Sequence, residues 1–258
     1  MKNSCLLQAH RGVSTERPEN TLAAFRLAAE QGYGLIEADP KFTADGRCVI
    51  LHDRTLNRTC RHADGSSLSA ETPIASLTLE QAWEYDAGLW FGEAFRGEKI
   101  PTLEELLAFS AESGVPVKLD NVWESFDASQ RERFFDVLTR CGREELTALT
   151  CANPDNALEA ARRFPRSTVH FDGYVDEAVL EQLHSEIPPE RLTVWLRYDN
   201  RATAWNKNPP ADERSAALVK RYGRLGLWIL SQQSEFEDAV GRLHADVVET
   251  TGSIKPVK

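Results

Sequence analysis

Short apolar runs alternate along the chain with longer segments in which apolar residues recur at helical spacing. The runs predict strands at Leu6–Arg11, Leu35–Asp39, Val117–Val122, Leu146–Cys151, Thr168–Asp172, Leu192–Tyr198, Leu227–Ser231 and Asp246–Thr250. The intervening segments predict helices at Thr21–Gln31, Thr102–Ser113, Asp127–Cys141, Pro154–Phe164, Asp176–Ser185, Ala211–Tyr222 and Ser234–Leu243. Repeated strand–helix units form parallel sheets, so the pattern predicts an α/β protein with a closed (β/α)₈ TIM barrel.

An open, doubly wound sheet is the alternative arrangement of the same units. Such sheets often bind nucleotides through a glycine-rich turn that follows a strand. No predicted strand is followed by GxGxxG or GxxxxGK[ST]. The closed barrel is therefore the favoured fold.

One connection departs from the alternation. A further strand-like run, Val49–Asp53, follows Leu35–Asp39 with only the turn Ala44-Asp45-Gly46 between them. That connection cannot hold a crossover helix, so the run should return antiparallel as the arm of a hairpin added to the barrel. The next residues, 54–99, contain one short helical pattern, Thr78–Tyr85, and are predicted to form an inserted subdomain in the second βα loop. We predict that residues 1–258 otherwise form a single domain.

Composition limits the classes of partner. The length of 258 residues with 41% hydrophobic residues suits one large barrel domain. The net charge of −10, without any run of Lys and Arg, argues against nucleic acid as a partner. The start of the chain, Met1 to Gln8, is too short and too weakly apolar for the core of a signal peptide, and no stretch approaches the ~20 apolar residues of a membrane span. We therefore expect a cytoplasmic protein.

The cysteines give the same indication about the compartment. The five are odd in number, scattered and without CxxC spacing, which argues against both a disulfide framework and a zinc site. We expect ordinary reduced thiols.

Charged residues stand where the first two predicted strands end. His10, Arg11 and Gly12 close the first strand, and Glu37 and Asp39 on the second strand point to the same side because they are two residues apart. Neighbouring carboxylates in a barrel interior raise each other's pKa unless a cation lies between them, and Ca²⁺ or Mg²⁺ would neutralise oxygen ligands of this kind. For His10, Arg11 and Gly12, the plainer alternative is that they only cap the end of a strand. For Glu37 and Asp39, it is that one of the two carboxylates faces a salt-bridge partner outside the barrel.

Three further candidates follow along the chain. His52 lies on the hairpin arm next to Asp53, which could orient its imidazole, although a lone histidine near a turn is often incidental. Asp120 lies in the predicted strand Val117–Val122 and shares one face with Lys118. Together the candidates supply two imidazoles for acid–base chemistry, three carboxylates for a metal, and two cations for anionic oxygens. Phosphoryl chemistry requires these groups.

Several linked motifs in the first half of the chain resemble the opening block of the glycerophosphodiester phosphodiesterases. They are His10-Arg11-Gly12, Pro18-Glu19-Asn20-Thr21, Ala24-Phe25, Glu37-Ala38-Asp39, Thr43-Ala44-Asp45-Gly46, His52-Asp53, Arg58-Thr59, Asp86-Ala87-Gly88-Leu89-Trp90-Phe91 and Ile100-Pro101-Thr102-Leu103-Glu104-Glu105. Order and spacing both match over roughly the first 110 residues, which is more specific than any single short motif. Near the end of the chain, Ala245–Thr250 resembles the last strand of the family more weakly.

The resemblance implies a barrel with a subdomain inserted after the second strand. It implies a divalent metal held by Glu37, Asp39 and a third acid, which we assign to Asp120, with His10 and His52 as the general acid–base pair. Arg11 would bind the phosphate. The implied reaction cleaves small glycerophosphodiesters to sn-glycerol 3-phosphate and an alcohol through attack by the neighbouring glycerol hydroxyl, which gains from being tethered.

One departure from the family pattern concerns the third strand. The usual pattern Glu-x-Lys is aligned here with Asp120 and Val122, so the family lysine is missing. Lys118, two positions before Asp120 on the same predicted face, could supply the cation either to the phosphate or to the metal carboxylates. The alternative is a different strand register, in which Lys118 points into the helix layer with its amine in solvent. Aromatic residues near the rim, among them Trp195 and Trp228, could line a site for a quaternary amine.

Two other functions are compatible with these residues. A barrel that binds phosphodiesters without turnover would explain Val122 and the altered last strands. A phospholipase of the sphingomyelinase D type shares the two histidines and the metal site, but such proteins are secreted, carry disulfides and lack the inserted subdomain.

Overall fold

The computed structural model describes residues 5–141, 143–199 and 208–257. Its strands are β1 (Leu6–Ala9), β2 (Leu35–Ala38), β3 (Pro40–Phe42), β4 (Cys48–Ile50), β5 (Val117–Leu119), β6 (Thr147–Cys151), β7 (Thr168–Phe171), β8 (Leu192–Arg197), β9 (Arg224–Leu230) and β10 (Val247–Thr250). Eight of these strands close into a parallel barrel in the spatial order β1-β10-β9-β8-β7-β6-β5-β2, while β3 and β4 form a separate pair. The predicted TIM barrel is confirmed.

Helices connect successive barrel strands, as the periodicity predicts. They are α1 (Leu22–Gln31), α2 (Leu79–Ala82), α3 (Leu103–Ser113), α4 (Ala128–Cys141), α5 (Pro154–Arg163), α6 (Glu177–His184), α7 (Glu213–Lys220) and α8 (Gln233–Gly241). Polar residues satisfy the free amides at several helix starts: Thr102 and Glu105 form a reciprocal capping box on α3. None of the helices in the described ranges combines the length and the apolar character that crossing a bilayer requires.

The predicted hairpin is present with different bounds. Strand β4 pairs antiparallel with β3 and not with the barrel strand β2. Because β4 ends at Ile50, His52 follows the hairpin arm instead of lying on it. Beyond the hairpin, residues of the 54–99 segment form a small buried apolar cluster together with Val49, Leu51 and Ile100. The members that come from the segment are Leu56, Cys60, Leu68, Ile74, Leu79, Ala82 and Ala87. The limits of the insertion at 54 and 99 stay a prediction.

The predicted strand Val117–Val122 is too long. Strand β5 ends at Leu119, and Asn121–Ser125 forms a 3₁₀ helix. The cause is tertiary: Trp123 is fully buried, stacks on Phe134 at 6.3 Å, and donates its indole N–H to the carbonyl oxygen of Thr150 at 2.7 Å. Val122 consequently does not continue the strand face of Lys118 and Asp120.

Trp195 fills the barrel interior below the strand ends. Its side chain is buried, and its neighbour in the register of β8 and β9 is Gly226. A Cβ atom at position 226 would lie 2.6 Å from the indole ring, closer than packed atoms approach. The indole of Trp195 therefore fits in this position only because residue 226 is a glycine.

Gly226→Ala should destabilise the protein by roughly 1–3 kcal/mol, because the added methyl group overpacks a rigid interior. Gly241→Ala is the matched control, since a Cβ atom there meets nothing within 4 Å and alanine favours the helix in which the residue lies. Urea denaturation of the two variants measures the difference. Equal stability of both would show that the interior at Trp195 is loosely packed.

Candidate active site

A cavity of about 550 Å³ opens at the C-terminal ends of the barrel strands. All seven residues predicted for the site line it: His10, Arg11, Glu37, Asp39, His52, Lys118 and Asp120. This end of a TIM barrel is where active sites are built, because the βα loops converge there. The fold therefore brings the candidates together, while the role of each one stays a prediction.

The loop after β1 has an unusual backbone that places Arg11. Arg11 has a φ of 59° and Gly12 a φ of 79°, both in the left-handed region. The backbone N–H of Arg11 donates to the Glu37 carboxylate at 2.9 Å, and its carbonyl oxygen accepts from the N–H of Asn20 at 3.0 Å. A Cβ atom at Gly12 would lie 2.6 Å from that of Ala24, so the sequence His-Arg-Gly requires its glycine.

Asp39 is held in its charged form. Its Oδ2 accepts a hydrogen bond from the Asn20 amide at 2.8 Å and lies 3.5 Å from Arg11 Nε. Burial opposes the charge, but the nearby guanidinium of Arg11 and the hydrogen bond from Asn20 outweigh it and keep the pKa of Asp39 below its usual value.

A chain of ion pairs joins the inserted segment to the loop after β1. His52 Nδ1 lies 2.6 Å from Asp53, and Asp53 in turn accepts from Arg58 at 2.7 Å. Arg58 also binds Glu19 through two nitrogens, at 2.7 and 2.8 Å, and Glu19 accepts from Arg11 at 3.0 Å. Since the Asp53 carboxylate can only accept, His52 Nδ1 carries the proton and Nε2 is left for the cavity.

The remaining predicted carboxylates are less well neutralised. Burial, followed by the charge of Asp39, raises the pKa of Glu37 well above its ordinary value and raises that of Asp120 in the same way. Burial also lowers the pKa of His10 to about 4, so this imidazole is neutral at physiological pH. A cation placed among these groups would relieve the repulsion between the carboxylates.

One arrangement of possible metal ligands differs from the predicted set. One ligand atom each from His10, Glu37 and Glu249 lie within 4.8 Å of one another. His10 Nε2 is 4.0 Å from Glu37 Oε2. Sequence reasoning missed Glu249 as a site residue, although an acid near the end of an otherwise apolar strand was a readable signal.

Glu249 is also the partner of Lys118. The ammonium lies 3.6 Å from Glu249 Oε1 and 4.6 Å from the centre of the Trp195 ring. Gln8 donates a hydrogen bond to the same carboxylate oxygen, and Trp195 donates its N–H to His170 Nδ1 at 2.9 Å. Burial opposes the charge on Lys118, but Glu249, Glu37 and Asp120 outweigh it and raise its pKa.

Trp195 and Trp228 both line the cavity. The ring of Trp195 is buried beneath the Lys118 ammonium, so it forms part of the cavity floor and not of the rim. A second missed residue, Asp172, follows β7 and accepts from the Asn121 amide at 2.9 and 3.0 Å. Burial, and then the charge of Asp120, raise the pKa of Asp172 to about 7.

A parallel barrel that gathers imidazoles, carboxylates and an arginine at its strand ends has the groups that phosphoryl chemistry requires. The chain belongs to the glycerophosphoryl diester phosphodiesterase family, whose family model matches residues 10–157, more than half of its length. This confirms the family resemblance of the sequence motifs.

Curated relatives match over part of the chain. A glycerophosphodiester phosphodiesterase from Caldanaerobacter subterraneus is 41% identical over 115 residues, which are 45% of this chain and 44% of the relative. The human glycerophosphodiester phosphodiesterase 1 is 43% identical over 102 residues, 39% of this chain and 28% of the relative. The chain thus spans less than half the length of these relatives.

Solved structures resemble the whole fold. A phosphodiesterase from Oleispira antarctica, solved in complex with the product sn-glycerol-3-phosphate, has a TM-score of 0.75 at 22% identity and covers 96% of this chain and 93% of its own. A glycerophosphoryl diester phosphodiesterase structure from Silicibacter pomeroyi has a TM-score of 0.77 at 20% identity, with coverage of 97% and 91%. At these identities the likeness concerns the fold.

Asp53→Asn should release His52 from a single tautomer, because an amide can donate to Nδ1 as well as accept from it. In ¹⁵N-labelled wild-type protein at about pH 8, we expect Nδ1 of His52 to be protonated and Nε2 unprotonated. Nuclear magnetic resonance of the ring nitrogens measures this directly. Asp64→Asn, on an exposed turn of the same segment, should leave the His52 signals unchanged. A wild-type spectrum with mixed tautomers would contradict the assignment.

Proposed function

We propose that this protein hydrolyses small glycerophosphodiesters to sn-glycerol 3-phosphate and an alcohol. The observation that carries the proposal is that seven residues spread from position 10 to position 120 line one cavity at the strand ends of a chain of this family. The alternative of a barrel that binds without turnover loses support, because its main motivation was an uncharged Val122 on the face of β5, and Val122 lies outside that strand.

The two imidazoles are the proposed acid–base pair. His52 presents Nε2 to the cavity and His10 is neutral, so either can take a proton at the start of the reaction. One would deprotonate the glycerol hydroxyl that attacks phosphorus, and the other would deliver a proton to the oxygen of the departing alcohol. Cleavage of the resulting cyclic phosphate by water would use the pair in reverse.

Arg11 is the proposed ligand of the anionic phosphate oxygens. Its guanidinium lines the cavity, yet it also binds Glu19 and lies beside Asp39, which fixes its plane. A guanidinium held in this way can present further N–H groups without a large entropic cost. Lys118 is the second predicted cation, but its ammonium is paired with Glu249 on the inner side of the cavity.

The donor set suits a hard divalent cation such as Ca²⁺ or Mg²⁺. Carboxylate oxygens predominate, and the raised pKa values of Glu37 and Asp120 indicate a local shortage of positive charge. Glu37, Asp39 and Asp120 would hold the ion according to the family motifs, while the geometry adds His10 and Glu249 as candidates. A bound ion would stabilise negative charge on the non-bridging phosphate oxygens.

Cytoplasmic location remains our inference for the compartment. The five cysteines are free thiols, as a reducing compartment requires. Small glycerophosphodiesters are water-soluble, in keeping with this assignment.

Replacing His10 or His52 by Ala should lower kcat by roughly 10²–10⁴-fold, the usual contribution of a general acid or base. An enzymatic assay for released sn-glycerol 3-phosphate, with added Ca²⁺ or Mg²⁺, measures the effect. His62→Ala is the control, because His62 packs against Tyr85 in the inserted segment and is not among the residues that line the described cavity. Full activity of either site variant would remove that histidine from the mechanism.

The double variant Glu37→Ala/Asp39→Ala should lose binding of Ca²⁺ and Mg²⁺ in calorimetric titration, because it removes two of the predicted ligands. The control Glu132→Ala/Asp136→Ala removes two exposed acids of α4 that pair with Arg163 and Arg140. His10→Ala adds a further comparison: weakened metal binding would make His10 a ligand instead of a proton carrier. Unchanged binding in the double variant would refute the metal assignment.

A further inference from the structure

Lys118 lies inside the acidic cluster and not at its edge. The register of β2 and β5 pairs it with Glu37, and its side chain is only 7% exposed. Its ammonium is 3.6 Å from Glu249, one of the three residues whose ligand atoms lie within 4.8 Å of one another. A fixed positive charge therefore borders the position that a divalent cation would occupy.

The surroundings of Lys118 leave it little freedom to move away. The face of Trp195 lies against the ammonium, which is a favourable cation–π contact in a desolvated interior. Trp195 is itself fixed by its hydrogen bond to His170 and by its close packing on Gly226. Glu249 Oε1 accepts from Gln8 and contacts Lys118, so these two contacts leave Oε2 to face a metal.

The end of β5 also carries its charges in an unexpected order. Because the strand stops at Leu119, the charged residues that it places in the cavity are Lys118 and Asp120. The family pattern on this strand is Glu-x-Lys, whereas Lys118-x-Asp120 has the cation first and the acid second. Lys118, the residue deeper in the barrel, thus lies beside Glu37 on the neighbouring strand.

We propose that Lys118 is a built-in cation of this acidic site, which neutralises Glu249 and Glu37 when no metal is bound and weakens the binding of a divalent cation by like-charge repulsion. The inference rests on the proposed function in that it concerns the metal which that function would use. With Lys118 in this position, the protein depends less on metal for its folding, and binds metal more weakly, than the number of its carboxylates suggests.

The test is to titrate Ca²⁺ and Mg²⁺ alone into Lys118→Met and into wild-type protein by calorimetry. Losing a unit charge that close to the ion should tighten binding about tenfold or more. Lys41→Met is the matched control: Lys41 lies near Asp39, Asp120 and Glu37 but is not among the residues that line the described cavity. Its removal should change the affinity by no more than about threefold, because Lys41 stands outside the cavity in which the ion would bind.

Thermal unfolding gives an independent readout. Without metal, Lys118→Met should unfold at a lower temperature than Lys41→Met, because Glu249 loses its buried partner. Added Ca²⁺ should restore Lys118→Met more than it stabilises wild type. Lys118→Gln keeps a hydrogen-bond donor beside Glu249 and replaces the methionine variant if that one does not fold.

Unchanged or weaker metal binding in both Lys118 variants would overturn the inference, as would the absence of cation binding in all the variants. These measurements do not involve turnover. The proposed hydrolysis can therefore fail in the phosphodiester assay while Lys118 still controls metal affinity, and the reverse outcome is equally recognisable.

Discussion

Repulsion among carboxylates in a confined space is the interaction on which the rest of this site depends. Glu37, Asp39, Asp120, Asp172 and Glu249 all line one cavity of about 550 Å³ at the mouth of the barrel. Charged carboxylates so close together are costly in a medium less polar than water, unless cations or hydrogen bonds compensate them. Each compensating group comes from a definite element of the fold. The carboxylates that lack enough compensation mark the place where a metal would bind.

The groups that stabilise the carboxylates lie in two parts of the barrel mouth. On one side, Arg11 and Asn20 stabilise the charge of Asp39, and both residues come from the loop after β1. On the inner side, Lys118 and Gln8 stabilise Glu249 from strands β5 and β1. Glu37 lies between the two parts and receives a backbone N–H from Arg11, which does not prevent its pKa from rising. Chemistry that needs a neutral acid or a bound cation is thereby concentrated around Glu37.

Local signals in the sequence were sufficient for the barrel and for much of the site. Strand–helix alternation predicts the fold, and the period of two places Glu37 and Asp39 together, because both depend on neighbours in the chain. The end of β5 could not be predicted in this way, since Trp123 terminates the strand by packing on Phe134 and by donating its indole N–H to Thr150, 27 positions along the chain. The pairing of Lys118 with Glu249 likewise joins residues 131 positions apart and depends on barrel closure.

The ion-pair chain from His52 through Asp53, Arg58 and Glu19 to Arg11 crosses from the inserted segment to the barrel. The insertion has its own small apolar cluster, so it can open locally while the barrel stays folded. Each such opening would take Arg58 away from Asp53 and Glu19, the two acids that orient His52 and Arg11. The fraction of molecules with a complete site then depends on the equilibrium between the open and closed forms of the insertion. A substrate that binds only the closed form would shift this equilibrium towards the closed form.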